Sequence, residues 1–192
     1  MDEIRQVAIL GAGAMGAYFA TRFYETQGFS TTLIASADRY ERLCADGLLG
    51  NGIAYHIPVV QPQEATAPAD LLIVALKHHH LAETLPTLQK LIGAQTTILS
   101  VMNGLESEEL IGAQYGMDKL LYTISVGIDA VRTGNQITYT KGGKHYFGEL
   151  NNSVISARVQ RVQRALARAA IVYETPVDML RILWWKFMIN VG

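Results

Sequence analysis

Short apolar runs alternate with amphipathic stretches along the first half of the chain. The first run, 7–10, is continuous, as is typical of a strand that a parallel sheet buries on both faces. A helical pattern over 14–27 follows it, and an apolar strand over 31–35 completes a unit of roughly thirty residues. This order predicts two parallel strands joined by a helix, the unit from which open α/β sheets are built.

The alternation continues beyond this unit. Apolar runs predict strands over 70–76 and 96–101, and the stretch between them, 77–91, has a helical pattern. Earlier in the chain, the pattern predicts a short helix over 38–43, and Asn51-Gly52 predicts a hairpin because this pair favours a two-residue turn. Strands that alternate with helices indicate an α/β fold with a doubly wound, mostly parallel sheet of the Rossmann type.

The second half of the chain has a different pattern. Three β-rich segments, expected to be antiparallel additions, cover 120–126, 136–140 and 145–148. An amphipathic helix is predicted over 153–173, and a helix that is apolar on nearly every side over 178–192. We expect a Rossmann-like, NADP-binding domain over 1–175 and, over 176–192, the first helix of an α-helical substrate domain whose remainder lies outside this chain.

Composition and charge exclude several classes of function. The 192 residues are 49% hydrophobic and 17% charged, with a formal net charge of −1. The chain therefore has no excess of positive charge that would attract nucleic acid or an anionic membrane. No apolar run is long enough to span a bilayer. The one cysteine, Cys44, rules out an intrachain disulfide and a cysteine-based metal site. We expect a cytoplasmic protein without bound metal that acts on a small molecule, and a homodimer is compatible with the sequence.

The glycines that follow the first strand carry the clearest chemical signal. Gly11, Gly13 and Gly16 have the spacing of a dinucleotide-binding turn and lie between a predicted strand and a predicted helix. In such a turn the first glycine permits the bend, the second lets the backbone approach a pyrophosphate, and the third brings the helix close to the strand. The pyrophosphate then lies at the helix N-terminus. The predicted cofactor-binding residues of the turn are Gly11, Ala12, Gly13, Ala14, Met15 and Gly16.

The end of the second strand favours NADP over NAD. Proteins of this fold that prefer NAD place an Asp or Glu here to bind the ribose 2′-hydroxyl, whereas this chain has Ser36. With Arg39 shortly after it, the site can offer a hydroxyl and a guanidinium to a 2′-phosphate. The alternative is that Arg39 is a solvated helix residue, the ordinary environment of an arginine.

Two polar residues follow later predicted strands. Lys77 and Asn103 lie just past the carboxyl ends of strands 70–76 and 96–101, the edge at which open α/β sheets bind ligands. The alternative is a surface lysine and a turn-forming Asn-Gly pair. The run 78–80 contains three histidines, but successive helical residues point about 100° apart and cannot hold one metal ion together, so we expect them on the helix surface.

Lys186 is the most informative residue of the last helix. It lies between Trp185 and Phe187, and Asn190 follows one turn later on the same face. A lysine in apolar surroundings tends to have a lowered pKa and can then deliver a proton to a carbonyl oxygen. The residues alone favour the alternative, a lysine of a core helix that extends its charged end to water.

Five segments of the chain match one known family. In chain order they are 7–16, Leu76-Lys77, 100–105, 108–110 and 185–191. Together they resemble the ketopantoate reductase (2-dehydropantoate 2-reductase) family. The resemblance runs through the whole chain, and its most specific part is the Lys-x-x-x-Asn element formed by Lys186 and Asn190.

The resemblance implies an activity and a set of residue roles. The activity is NADPH-dependent reduction of 2-dehydropantoate, a 2-oxo acid, to pantoate in pantothenate biosynthesis, with a helical C-terminal domain adding substrate contacts. Many family members have arginine where this chain has Ser36, so the preference for NADP rests on Arg39. The implied roles are general acid for Lys186, substrate binding for Asn190 and Asn103, and cofactor contact for Asn103, Lys77 and, through its backbone, Ala130.

Two other functions stay open at this point. One is a related dehydrogenase of another 2-oxo or 3-hydroxy acid, which would differ in its substrate. The other is a non-catalytic module that senses a dinucleotide, and the presence of both Lys186 and Asn190 speaks against it.

Overall fold

The computed structural model of the chain describes residues 3–104, 106–133 and 136–191, without the side chains of residues 190 and 191. Strands alternate with helices in its first part, as predicted. The elements up to residue 100 are β1 (Gln6–Leu10), α1 (Ala14–Tyr24), β2 (Ser30–Ile34), α2 (Ala37–Asp46), β3 (Leu48–Gly50), β4 (Ile53–Tyr55), β5 (Val59–Val60), β6 (Leu71–Val74), α3 (His78–Thr84) and β7 (Thr97–Ser100).

The second part of the chain is richer in strands and ends in two helices. Its elements are α4 (Glu106–Tyr115), β8 (Leu120–Ile128), β9 (Val131–Thr133), β10 (Gln136–Thr138), β11 (Gly142–Gly148), α5 (Ala157–Arg168), β12 (Tyr173–Glu174) and α6 (Met179–Val191).

An eight-stranded sheet forms the centre of the molecule, in the order β12-β11-β8-β7-β6-β1-β2-β5. The strands from β8 to β5 in this order are all parallel, whereas β11 runs antiparallel to β8. Every residue of β6 is buried, because helices cover both faces of the sheet, and its sequence is therefore a continuous apolar run. The predicted Rossmann-type, mostly parallel sheet is confirmed, and the segment 145–148 is an antiparallel addition, as predicted. The prediction for 120–126 is wrong, because β8 pairs in parallel with β7 and continues the parallel part of the sheet.

A second, smaller sheet has the strand order β4-β3-β10-β9. Asn51 and Gly52 form the turn between β3 and β4, with φ values of +50° and +81°, the left-handed conformations that an Asn-Gly hairpin needs. The predicted hairpin is thus confirmed. The β-rich segment 136–140 joins this small sheet through β10, which pairs with β3 and β9, and is not an addition to the main sheet.

Helices pack on both faces of the main sheet. On one face, α1 and α5 contribute Phe19 and Leu166 to a buried apolar cluster that contains Ile9 of β1. On the other face, α3 and α4 contribute Leu81 and Ile111 to a second buried cluster. The two clusters are the two cores expected of a doubly wound sheet.

The amphipathic helix α5 is shorter than the 153–173 that its pattern predicts. It begins after Ser156, whose hydroxyl accepts a hydrogen bond from the Val159 amide at 3.3 Å. It ends before Ala170, whose φ of +51° turns the chain out of the helix. Tyr173 lies in β12 yet packs against the same core, so the apolar spacing continues past the end of the helix.

Two other predicted helices also end early. The helical pattern over 77–91 corresponds to α3 followed by a short 3-10 turn, Leu85–Leu88. Pro86 lies in that turn, and proline lacks the N–H donor that would continue an α-helix. The pattern over 14–27 ends as α1 at Tyr24, shortly before Gly28 with its φ of +87°.

The last helix, α6, is buried on one face only. Asp178 precedes it and accepts a hydrogen bond from the Arg181 amide at 2.9 Å, as a helix N-cap does. Met179 and Leu183 pack against Ile124 of β8. The apolar side chains that remain exposed are Leu180, Trp184, Trp185, Phe187, Met188 and Ile189. In the described part of the chain, none of the helices is both long and apolar enough to cross a membrane.

Candidate active site

Three loops leave the main sheet together, at the carboxyl ends of its central strands. In the register of the sheet Leu10 lies beside Val74, and Val74 beside Ser100, so the loops after β1, β6 and β7 start at the same level. These loops hold the glycine turn, Lys77 and Asn103. The structure therefore brings the predicted residues together at the carboxyl ends of the parallel strands, where open α/β sheets bind ligands.

Two glycines of the turn are required by packing within the chain. Gly11 has a φ of +92°, and a Cβ atom there would lie 2.8 Å from the backbone oxygen of Ala75. A Cβ atom at Gly16 would lie 1.9 Å from the backbone oxygen of Gly11, because α1 approaches the turn closely. Neither position can accept a side chain without a backbone shift, whether or not a ligand binds.

Gly13 has no such constraint. Its φ of −74° is accessible to any residue, and among the described residues nothing lies within 4 Å of the place its Cβ would take. None of the described side chains caps α1, which begins directly after Gly13, so the first amides of the helix can bind an anion. The open space and these amides fit the pyrophosphate of a dinucleotide.

Arg39 lies against the glycine turn. Its guanidinium donates a hydrogen bond to the backbone oxygen of Ala12, which argues against the alternative of a fully solvated helix residue. Burial, followed by the positive charges of Arg132 and Arg42, lowers the pKa of Arg39 to about 10. We call Arg39, Arg42 and Arg132 the arginine cluster. Ser36, which directly precedes α2, is exposed.

The position of Arg132 has no signal in the sequence. This residue lies in β9, in the small sheet, and reaches the neighbourhood of Arg39 through the pairing of β9 with β10 and of β10 with β3. Such pairings depend on strand register, which a single sequence does not specify for short strands.

Lys77 and the histidines that follow it lie at the start of α3. Lys77 is exposed and directly precedes the helix. The imidazole of His78 lies 2.7 Å from the carboxylate of Glu106, which links the start of α3 to the start of α4. Within the described ranges, no group of three or more His, Cys, Asp or Glu side chains is placed to hold a metal ion.

Lys186 and Asn103 meet in one pocket. The pocket lies between the loop after β7, strand β8 and helix α6. We call it the α6 pocket; its polar lining residues are Asn103, Ser125 and Lys186, and its apolar ones are Met102, Ile124, Leu183 and Phe187. A lysine ammonium and an asparagine amide among apolar walls can together bind a small carboxylate that carries a second polar oxygen. Asn190 belongs to α6, but its side chain lies outside the described part of the structure.

Ser125 is a pocket residue that sequence reasoning missed. It lies opposite His145 across the β8–β11 pair, and its Oγ is 2.8 Å from Nδ1 of His145. Burial lowers the pKa of His145 to about 4, so the imidazole is neutral at pH 7. Its ring packs on Tyr18 and Phe19 of α1. This pair therefore connects the wall of the α6 pocket to the helix that begins at the glycine turn.

Glu108, in the first turn of α4, is a second buried titratable residue. Ser107 donates a hydrogen bond of 2.7 Å to its Oε2, and Ser107 Oγ lies 2.8 Å from Ser100 Oγ. Burial raises the pKa of Glu108 from 4.5 to about 7, in spite of the Ser107 hydrogen bond. A buried acid lies outside the apolar pattern of a helix, so periodicity could not identify it.

Ala130 lies where the chain passes from the main sheet to the small one, between β8 and β9. The preceding residue, Asp129, accepts hydrogen bonds of 2.8 Å from the backbone amides of Thr140 and Lys141. These contacts fix the backbone next to Ala130. Ala130 itself is not among the residues that line the α6 pocket.

Comparisons with known proteins identify relatives of the chain. The family model described as ketopantoate reductase PanE/ApbA matches residues 7–152. A 2-dehydropantoate 2-reductase of Streptococcus pyogenes is 30% identical over 123 residues, which cover 62% of this chain and 40% of the relative. Another, of Nostoc, is 28% identical over an alignment of 207 residues that covers 100% of this chain and 62% of the relative. The chain thus spans less than two thirds of the length of these relatives.

Among solved structures, D-mandelate dehydrogenase in a ternary complex with NADH and anilino(oxo)acetate is similar to this chain. The TM-score is 0.85 at 24% sequence identity, and the match covers 96% of this chain and 61% of the other. A likeness at this level of identity shows the fold, and it agrees with the Rossmann-type sheet described above.

Proposed function

Because the chain belongs to the ketopantoate reductase PanE/ApbA family, we propose that it is the cofactor-binding part of an enzyme that reduces 2-dehydropantoate to pantoate with NADPH. The observation that carries this proposal is the α6 pocket, in which Lys186 and Asn103 meet at the carboxyl edge of the sheet. The family indicates the class of reaction. The pocket offers a proton donor and an amide to a 2-oxo acid. The lone cysteine is in keeping with a cytoplasmic enzyme.

The glycine turn and its neighbours are the proposed cofactor site. The pyrophosphate would lie against the first amides of α1, in the space that a side chain at Gly13 would fill. Asn103 and Lys77, on neighbouring loops, and the backbone of Ala130 are proposed as further contacts. When bound, the nicotinamide supplies the hydride for the reduction.

The arginine cluster supports a preference for NADPH over NADH. A guanidinium has five N–H donors, and a bond to the Ala12 oxygen leaves Arg39 with others for a phosphate. Burial and the positive charges of Arg132 and Arg42 both disfavour the charged form of Arg39, and a bound 2′-phosphate would offset both. Ser36 presents no carboxylate that would repel the phosphate.

Lys186 is the proposed general acid. As hydride reaches the carbonyl carbon of the oxo acid, the carbonyl oxygen takes a proton from the Lys186 ammonium, which leaves a 2-hydroxy acid and a neutral amine. Asn103 and Asn190 are proposed to hold the oxo acid in position for this transfer. The apolar lining residues of the α6 pocket would keep water away and so strengthen these polar contacts.

Residues 176–192 are proposed as the start of a helical substrate domain. The exposed apolar side chains of α6 support this assignment, since patches of this kind mark surfaces that another element covers. The greater length of the relatives is in keeping with it. On this proposal the 192-residue chain alone binds NADPH but does not reduce the oxo acid, because the covering domain is needed to hold the substrate.

The likeness to D-mandelate dehydrogenase favours a second candidate, the reduction of another 2-oxo acid. The walls formed by Met102, Leu183 and Phe187 are apolar and could contact an aromatic substituent as readily as an aliphatic one. The roles of Lys186 and Asn103 would be the same, and the substrate would differ.

Steady-state assays of the whole protein with a panel of 2-oxo acids test both candidates. We expect the highest kcat/KM with 2-dehydropantoate and NADPH. A higher kcat/KM with phenylglyoxylate would favour the second candidate. If NADPH binds but no oxo acid is reduced, the reductase proposal fails and a dinucleotide-sensing module takes its place.

A further inference from the structure

A buried hydrogen-bonded group lies at the base of the loop that carries Asn103. Ser100, Ser107 and Glu108 are all almost completely buried, at 0%, 1% and 2% exposure. Ser107 Oγ is 2.8 Å from Ser100 Oγ and donates to Glu108 Oε2 at 2.7 Å. We call these three residues the loop-base group.

The loop-base group joins the two ends of this loop. Ser100 is the last residue of β7, and Ser107 lies in the first turn of α4. Between them the chain carries Asn103 and Gly104, which both line the α6 pocket. Gly104 has a φ of +103°, so the loop makes a sharp turn at this point. The side-chain contact between Ser100 and Ser107 therefore helps to set where Asn103 lies in the pocket.

Glu108 is the titratable member of the loop-base group. Its Oε1 is buried and has no hydrogen-bond partner among the described residues, so the carboxyl group receives only limited hydrogen bonding. Glu109, on the same helix, is a like charge that disfavours the ionised form of Glu108. On β8, burial and then the charges of Glu108 and Glu109 raise the pKa of the Tyr122 phenol, which is neutral near pH 7. Burial and Glu109 together raise the pKa of Glu108 to about 7.

We propose that Glu108 is a positioning residue for the α6 pocket, and that its neutral form, through Ser107 and Ser100, holds the Asn103 loop in the geometry that binds the 2-oxo acid. This inference rests on the proposed reductase function. Ionised Glu108 is a buried charge with too few hydrogen bonds, a costly arrangement. The first turn of α4 then moves so that water reaches Oε1, and the loop that holds Asn103 moves with it.

The test first reads the loop itself, without any activity measurement. In the isotope-labelled 192-residue chain, NMR follows the side-chain carboxyl carbon of Glu108 and the backbone amides of Asn103 and Gly104 from acid to alkaline pH. The variants are Glu108→Gln, which keeps the shape of the side chain but cannot ionise, and Glu109→Gln, which removes the exposed neighbouring carboxyl group as a matched control.

We expect the amides of Asn103 and Gly104 to shift with the same midpoint as the Glu108 carboxyl group, near neutral pH. The shift should persist in Glu109→Gln and vanish in Glu108→Gln. Ser107→Ala, which leaves the acid in place but cuts its connection to Ser100, should weaken the shift of the amides and keep the titration of Glu108. This variant also keeps the test valid if Glu108→Gln does not fold. Amide shifts that persist in Glu108→Gln, or that are unchanged in Ser107→Ala, would overturn the proposal.

A second arm uses the whole protein and measures the affinity for 2-dehydropantoate. We expect the affinity to fall several-fold as the pH rises through 7 in the wild type and in Glu109→Gln, and to stay constant in Glu108→Gln. A constant wild-type affinity would overturn the role in substrate binding. If the amides respond as expected but no 2-oxo acid binds at any pH, the reductase proposal fails while the coupling of Glu108 to the loop stands.

Discussion

The glycine turn and the α6 pocket are built in opposite ways. The turn consists of contiguous residues, and its shape is set by backbone contacts such as the close approach of Gly16 to Gly11. The pocket combines the loop after β7, strand β8 and helix α6, which are far apart in the chain. A substitution at Gly13, where the turn is open, should therefore act on cofactor binding. A substitution at Lys186, in the pocket, should act on turnover.

The largest expected effect belongs to the pocket. In the whole protein, Lys186→Ala should lower kcat by roughly 100- to 10,000-fold, the contribution typical of a positioned general acid, with a much smaller loss of NADPH affinity. Stopped-flow turnover and fluorescence titration with NADPH measure the two quantities. Lys90→Ala, at an exposed lysine outside the pocket, is the control and should change neither. Equal losses of kcat and NADPH affinity in Lys186→Ala would place Lys186 in the cofactor site.

The next effect belongs to the turn and separates its glycines. Gly13→Val should abolish NADPH binding while the chain stays folded, because the new side chain fills open space that the pyrophosphate needs. Gly16→Ala is the matched contrast: its Cβ would meet the Gly11 oxygen at 1.9 Å, so this variant should lose thermal stability. Melting curves with and without NADPH distinguish the two. A Gly13→Val protein that still binds NADPH would make the whole turn a packing feature.

The same contrast explains which parts could be predicted from the sequence. The turn is recognisable because residues 7–16 specify it locally. Asn103 could be singled out by its position after a predicted strand, and Lys186 by its apolar neighbours and by the Lys-x-x-x-Asn element. Ser125 with His145, and Arg132 with Arg39, could not, because each pair depends on strand register.

The predicted helix lengths are wrong for a related physical reason. Apolar spacing reports which residues face the core, and it continues where the chain leaves a helix but stays on the core. Tyr173 is such a residue, since it packs on the same core as α5 from strand β12. Local chemistry ends the helices instead: a proline after α3 and a left-handed Ala170 after α5.

Two buried titratable residues, Glu108 and His145, have opposing effects on the pH dependence of stability. The pKa of Glu108 is raised from 4.5 to about 7, so its contribution to stability is present below pH 4.5 and is lost as the pH rises to 7. The pKa of His145 is lowered from 6.5 to about 4, so its contribution is present above pH 6.5 and is lost as the pH falls to 4. Each pKa shift corresponds to roughly 3 kcal/mol in the free energy of unfolding. Between pH 4.5 and pH 6.5 the two contributions change in opposite directions and largely cancel.

Glu108→Gln removes one of these opposing contributions. Between pH 4.5 and pH 6.5, the free energy of unfolding of the wild type should change little. That of Glu108→Gln should rise by up to about 3 kcal/mol over the same interval, because only the His145 contribution remains. Urea unfolding at the two pH values measures the difference. Glu109→Gln should change the pH dependence much less, because burial is the main cause of the raised pKa of Glu108 and Glu109 only the smallest. A pH dependence of Glu108→Gln equal to that of the wild type would show that Glu108 is not the group that offsets His145.

The smallest expected effect returns to the turn and concerns the choice of cofactor. Arg39→Ala should weaken NADPH binding by about 1.5–3 kcal/mol, the range of a hydrogen bond to a charged group, and leave NADH binding nearly unchanged, because only NADPH carries the 2′-phosphate. Titration of the 192-residue chain with both nucleotides measures the change, and Arg164→Ala, at an exposed arginine of α5, is the control. Since Arg39 also donates to the Ala12 oxygen, a loss shared equally by NADPH and NADH would mean that Arg39 supports the turn and does not bind the 2′-phosphate.

Ser36→Asp tests the position of the 2′-phosphate independently of Arg39. A carboxylate beside the arginine cluster should repel the 2′-phosphate and shift the preference towards NADH, even if Arg39 only supports the turn.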